Sequence, residues 1–135
     1  MKIQPYLNFN GQCDEAFRLY QQTLGGEIVY RGTFGDGPMA GQYPGWADKI
    51  MHITMRVGEQ TLLGCDAPEP HYSKPQGLRV CMEFQDAAEG ERVYKALSEG
   101  GQIAMPYQET FWAQRYAMFT DRFGTPWMIN VPKAM

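Results

Sequence analysis

At 135 residues, with 44% hydrophobic and 20% charged positions, the chain is one domain's worth of folding protein, long enough to bury a core. A net charge of −3 without a basic stripe argues against a nucleic-acid partner. No apolar run approaches the ~20 residues of a membrane helix, and no signal-peptide core follows Met1, so no membrane association and a cytoplasmic location are expected.

The residues before Asn10-Gly11 alternate. Ile3, Leu7 and Phe9 share one face with Pro5, and Gln4, Tyr6 and Asn8 share the other, which predicts a half-buried strand over Ile3–Asn8. Cys13, Ala16, Phe17, Tyr20 and Leu24 then recur at helical spacing, with Asp14 and Glu15 near the start, where the helix dipole favours acids. Gly25-Gly26 ends this helix, and Glu27–Thr33 returns as a strand. The glycine-rich stretch Gly35–Gly45, with Pro38 and Pro44, is a loop long enough to act as a lid or a partner contact. It has no phosphate-loop pattern. Lys49–Val57 alternates again, setting Met51, Ile53, Met55 and Val57 against Ile50, His52, Thr54 and Arg56, and Gly58-Glu59 turns it into Gln60–Cys65. Ala67–Gly77, carrying three prolines, reads as a linker.

The second half repeats the plan. Leu78–Phe84 alternates, Asp86 with Glu89 resembles a capping box, and Val93, Ala96 and Leu97 form a buried stripe. Gly100-Gly101 stops the helix as Gly25-Gly26 does in the first half. Strands follow at about 102–107, 114–120 and 126–131, the last two joined by the Asp121-Arg122-Phe123-Gly124 turn. The order is βαβββ, twice, with module 1 over about 1–66, the linker over about 67–77 and module 2 over about 78–135. Such a duplication predicts a pocket between similar modules.

Several segments carry a resemblance: Pro5-Tyr6-Leu7-Asn8-Phe9-Asn10-Gly11, Glu15-Ala16-Phe17, Phe34-Gly35-Asp36, Ile50-Met51-His52, Phe111-Trp112 and Asp121–Trp127. In their order and spacing the chain resembles the vicinal oxygen chelate superfamily, the glyoxalase, bleomycin-resistance and extradiol-dioxygenase group. Within it the chain is most similar to the PhnB-like branch, labelled 3-demethylubiquinone-9 3-methyltransferase-like. The resemblance implies an α+β fold of two βαβββ modules forming a cupped mixed sheet around a cavity, and a homodimer. It also implies a divalent metal held by His and Glu on the first and last strands of each module. The matching positions here fall at Pro5 or Tyr6, at Leu62, Leu63 or Gly64, at Arg79, Val80 or Cys81, and at Trp127 or Met128. None is His, Asp or Glu, so no metal and no other cofactor is expected.

The expected ligand-lining residues are Tyr6, Asn8, His52, Trp112, Met128 and Asn130. His52 reads either as an acid–base group or ligand-binding donor, or as an interior histidine bonded to a neighbouring strand. Trp112 suits a pocket wall, a dimer seam or plain packing. Asn8 and Asn130 suit ligand-facing amides or loop caps. His71 is expected at the surface, Cys65 and Cys81 as small buried hydrophobes rather than nucleophiles, and Glu83 as an ion-pair partner of Arg79. The leading expectation is a protein that binds a small, partly apolar molecule. An enzyme using His52 is the alternative, and a methyltransferase is disfavoured by the missing cofactor motif.

Overall fold

In a computed structural model of the chain, residues 1–38 and 40–133 are described. Residue 39 of the glycine-rich loop and residues 134 and 135 of the second module lie outside them. The chain divides into two compact units, Met1–Ser73 and Lys74–Met135.

The first unit contains β1 (Tyr6–Phe9), α1 (Cys13–Leu24), β2 (Glu27–Thr33), β3 (Ile50–Val57) and β4 (Gln60–Asp66). Its sheet runs in the order β1-β4-β3-β2, with β1 parallel to β4 and the other pairs antiparallel. One face carries Leu7, Phe9, Ile53, Met55 and Leu62, all buried. Helix α1 lies on that face because Cys13, Ala16, Phe17 and Tyr20 recur at three- and four-residue spacing and are fully buried. Phe9, Phe17 and Tyr20 meet edge-on or tilted, with centroids 5.5 to 6.5 Å apart. The close approach requires Gly64, where a Cβ would stand 2.7 Å from the Phe17 ring. Gly25, with φ 72°, takes the left-handed conformation that ends the helix.

The start of α1 depends on a residue remote in sequence. Gln12 makes no side-chain cap. Instead Asp66, 1% exposed at the end of β4, accepts 2.9 Å bonds from the backbone N–H of Gly11, Cys13 and Ile50. One carboxylate thereby joins the approach to α1, the first residue of β3 and the end of β4, satisfying donors that burial would otherwise strand.

The second unit repeats the topology with β5 (Val80–Glu83), α2 (Ala87–Ser98), β6 (Gln102–Gln108), β7 (Ala113–Thr120) and β8 (Pro126–Pro132), in the sheet order β5-β8-β7-β6. Ala117, Phe119, Trp127, Ile129 and Val131 form its core with Val93 and Leu97 of α2. Asp121 organises the β7–β8 turn: it accepts from the backbone N–H of Phe123 and Thr125 and, through its other oxygen, from the Trp127 indole N–H at 2.8 Å. Here an α+β pair of open, four-stranded mixed sheets with one helix each replaces any closed barrel.

Several details differ from the sequence reading; β5, for one, starts at Val80 and leaves Leu78 exposed. β1 starts at Tyr6, and Ile3 is 90% exposed, because pairing with β4 begins at Tyr6–Leu63. Asp86 caps α2 by accepting from the Ala88 N–H, while Glu89 pairs with Arg92 instead of completing a capping box. The glycine-rich loop opens with a 3₁₀ turn at Phe34–Asp36, where buried Phe34 meets Tyr43 and Trp46 edge-on.

Asp66→Ala strands two buried N–H donors and the part-buried one of Gly11, and is expected to lower stability by roughly 3 kcal/mol, whereas exposed Asp48→Ala changes it little. Urea unfolding midpoints of the two variants check this; equal midpoints contradict it.

Candidate functional site

Alternation along the first sheet leaves one face without a helix. Cross-strand partners share a face, so Tyr6, Leu63 and Thr54 lie together, as do Asn8 and Cys65. Their neighbours Leu7, Gly64 and Ile53 turn toward α1.

His52 occupies the middle of this face. Its Nδ1 is 3.0 Å from the Tyr6 hydroxyl and its Nε2 is 3.1 Å from Thr54 Oγ1. Tyr6 and Tyr30 flank the imidazole, with centroids 5.6 and 5.9 Å away. Burial, followed by the neighbouring Cys65, pushes the Tyr6 phenol well above its ordinary range, so Tyr6 stays protonated. If it donates to Nδ1, Nε2 carries the ring proton and donates to Thr54. The opposite tautomer uses the same atoms, with Nδ1–H donating to the Tyr6 oxygen and the Thr54 hydroxyl donating to Nε2. In either tautomer both ring nitrogens are engaged. Each arrangement leaves hydrogen-bonding capacity on the Tyr6 and Thr54 oxygens, as acceptor at one and donor at the other, and the two roles exchange with the tautomer. The cluster can therefore meet a hydroxyl or a carbonyl through these two oxygens.

Tyr30 joins this cluster through a local irregularity. Ile28 pairs with Met55 on the helix side, but Tyr30 pairs with Thr54 on the open side, because a bulge at Val29 interrupts the alternation. Strict period-two reading would place Ile28 and Tyr30 on one face, and no turn residue at Val29 signals the bulge. Beside the cluster, the Cys65 thiol donates to Asn8 Oδ1 at 3.3 Å. Contrary to the expectation of buried thiols, Cys81 is exposed and Cys65 only half-buried, while Cys13 is fully buried; partial desolvation still raises all three thiols, which leaves them protonated near neutrality.

The other expected residues lie in the second unit. The Tyr116 hydroxyl donates to Met128 Sδ at 3.1 Å, and the Tyr116 ring meets Trp112 edge-on at 5.3 Å. Asn130 stands opposite Tyr116 on β7 and Glu83 on β5. Tyr116 was not anticipated; its position between Trp112 and Met128 follows from the β7–β8 register. His71 is exposed. The expected Glu83–Arg79 ion pair does not form: Arg79 Nη1 donates to the carbonyls of Phe119 and Trp127, at 3.0 and 3.3 Å.

Among the described residues no group of three or more His, Cys, Asp or Glu could hold a metal ion. His52 spends both nitrogens on hydroxyls, and the nearby oxygen and sulfur donors are a protonated phenol, an amide and a thiol. No helix among the described residues is long and apolar enough to cross a membrane.

Residues 1–130 match the family described as 3-demethylubiquinone-9 3-methyltransferase. The chain is 36% identical to protein YjdN of Escherichia coli K12, over 98% of its own length and 97% of that protein's. It is 43% identical to the solved structure of protein PA1353 from Pseudomonas aeruginosa, with a TM-score of 0.88 and 99% of each chain covered. The PhnB protein of Bacillus cereus superposes with a TM-score of 0.84 at 20% identity, covering 97% of this chain and 99% of that one. The fosfomycin resistance protein FosX of Listeria monocytogenes shares the fold alone, at 8% identity and a TM-score of 0.62, over 98% of this chain and 90% of that one.

Because the folded state holds Tyr6 protonated, its phenol is expected to ionise well above the ordinary tyrosine range as pH rises. A folded-state value raised above the unfolded one contributes stability at lower pH that is lost as pH climbs past the ordinary tyrosine range. Ring-labelled tyrosine NMR across an alkaline titration, with Tyr6→Phe for assignment, checks this; Tyr6 ionising within the ordinary tyrosine range contradicts it.

Proposed function

The chain belongs to the 3-demethylubiquinone-9 3-methyltransferase family, a PhnB-like branch of the glyoxalase and vicinal oxygen chelate superfamily, and on that premise we propose that it binds a small, uncharged, partly apolar molecule through Tyr6, Tyr30, His52 and Thr54, without a tightly held metal. The observation that carries this reading is the hydrogen-bonded Tyr6–His52–Thr54 chain beside two half-exposed tyrosine rings. Aromatic faces supply apolar contact, and the two hydroxyls fix the orientation of one polar group, the combination that small-molecule sites use. Asn8 and Cys65 extend the same face. Trp112, Met128 and Asn130 are the proposed ligand-lining residues of the second unit.

Catalysis with His52 as acid or base is the second reading. It requires the ring to release Tyr6 or Thr54 first, because both nitrogens are occupied. The binding reading needs no such step, and the methyltransferase in the family's description is not required by any residue of this face.

A thermal-shift screen of uncharged metabolites is expected to find a stabilising ligand, since a molecule that binds only the folded state raises its stability. Tyr6→Phe and His52→Gln should each weaken that ligand by about tenfold, or about 1.4 kcal/mol. Protein from cells grown with Mn, Fe, Ni and Zn should carry far less than one metal per chain. Unchanged affinity in both variants, or stoichiometric metal, contradicts the proposal; turnover of the ligand that is lost in His52→Ala supports the catalytic reading instead.

We also propose a homodimer. Support comes from the large exposed side chains Phe111, 88% exposed, and Trp112, 48% exposed, which form an aromatic pair at the surface. Light scattering is expected to give twice the chain mass, and a particle of one chain mass contradicts it.

A further inference from the structure

The second unit contains a cavity of about 490 Å³ that the first-unit cluster does not touch. It lies beside the start of β5 and is lined by Arg79, Thr120, Leu78, Pro75, Pro126 and Met128 among others. The volume falls within the usual ~300–1,000 Å³ of small-molecule sites.

Arg79 is the one charged residue in this lining. The two hydrogens of its Nη1 serve the Phe119 and Trp127 carbonyls, paired residues of β7 and β8. This fixes the guanidinium across two strands. Its Nε–H and Nη2–H form the other edge of the group, and neither has a hydrogen-bond partner among the described residues. Arg79 also makes no ion pair with any described carboxylate. The sequence therefore positions a permanent cation firmly, uses neutral carbonyls to do so, and leaves its two-pronged edge available. That edge matches the two oxygens of a carboxylate. A single fixed positive charge suits a monoanion, and the Thr120 hydroxyl adds one neutral donor. Leu78, Pro75, Pro126 and Met128 supply apolar surface for the rest of the molecule.

We propose that this cavity is a binding site for a small organic monocarboxylate, its head on the Nε–Nη2 edge of Arg79 and its apolar body against Leu78, Pro126 and Met128. The lining includes Met128, proposed above as a ligand-lining residue of the second unit, and none of Tyr6, Tyr30, His52 and Thr54.

Hexanoate, hexanamide and inorganic phosphate are suitable probes, followed by NMR of the intact protein. Hexanoate should bind saturably in the millimolar range or tighter, shift the Thr120 and Met128 methyl signals, and bind at least about tenfold better than hexanamide or phosphate. Arg79→Met should abolish this preference for acid over amide. Should that variant fail to fold, Leu78→Glu decides: Leu78 is 66% exposed, so a carboxylate there leaves the core intact and should repel hexanoate by about tenfold. His52→Gln should leave hexanoate binding unchanged even if it abolishes binding of an uncharged ligand. Equal binding of hexanoate and hexanamide, phosphate competing as well as hexanoate, unchanged affinity in Leu78→Glu, loss in His52→Gln, or no hexanoate binding at millimolar concentration would each overturn the proposal.

Discussion

The first unit is organised around one buried carboxylate. Asp66 receives N–H bonds from Gly11, Cys13 and Ile50, and so fixes where α1 begins, where β3 begins and where β4 ends. Burial raises its carboxyl group while the three donors pull it down, so the bonds offset much of the cost of placing the group there. With α1 anchored at its start, Phe17 settles over Gly64 and covers one face of the sheet. The other face is left to side chains whose packing does not depend on the helix, and His52, Tyr6 and Tyr30 occupy it. Asp121 performs a related task in the second unit at a different place in the topology, closing the β7–β8 turn and holding the Trp127 indole.

The two units repeat a topology without repeating its chemistry. On the first sheet, hydroxyls and an imidazole satisfy one another, and burial keeps the phenol and the thiols protonated. The result is a cluster of hydroxyls and an imidazole, on a face where Glu27 and Arg56 also stand opposite each other. In the second unit, a guanidinium rests on backbone carbonyls and keeps its full positive charge facing a cavity. On the two proposals above, a duplicated scaffold would provide two kinds of recognition, because the strand backbone determines position and the residue at each position determines chemistry.

Much of this was legible in the chain. The alternation of Leu7 and Phe9 with Tyr6 and Asn8, and of Ile53 and Met55 with His52 and Thr54, assigned residues to the correct faces because pleated strands have a strict period of two. Gly25 marked the end of α1 because its left-handed backbone favours glycine. What escaped the reading was non-periodic or distant. Tyr30 reaches His52 only through the bulge at Val29, and Asp66 caps a helix lying 53 residues away from it in sequence. Arg79 and Glu83 share a strand face and invited a pairing by charge, yet the carbonyls of Phe119 and Trp127, brought near by β8 and β7, took the guanidinium instead. These contacts depend on tertiary register, which one-dimensional spacing does not contain.

The central claim is that the helix-free face of the first sheet is a binding surface for an uncharged molecule. Chemical-shift mapping of the labelled protein against fractionated metabolites tests it most directly. The account predicts that one neutral fraction shifts Tyr6, Tyr30, His52 and Thr54 together, while Phe17 and Leu62 on the helix side stay unmoved. Shifts centred on the helix side, or no neutral fraction that perturbs the His52 ring, would contradict it.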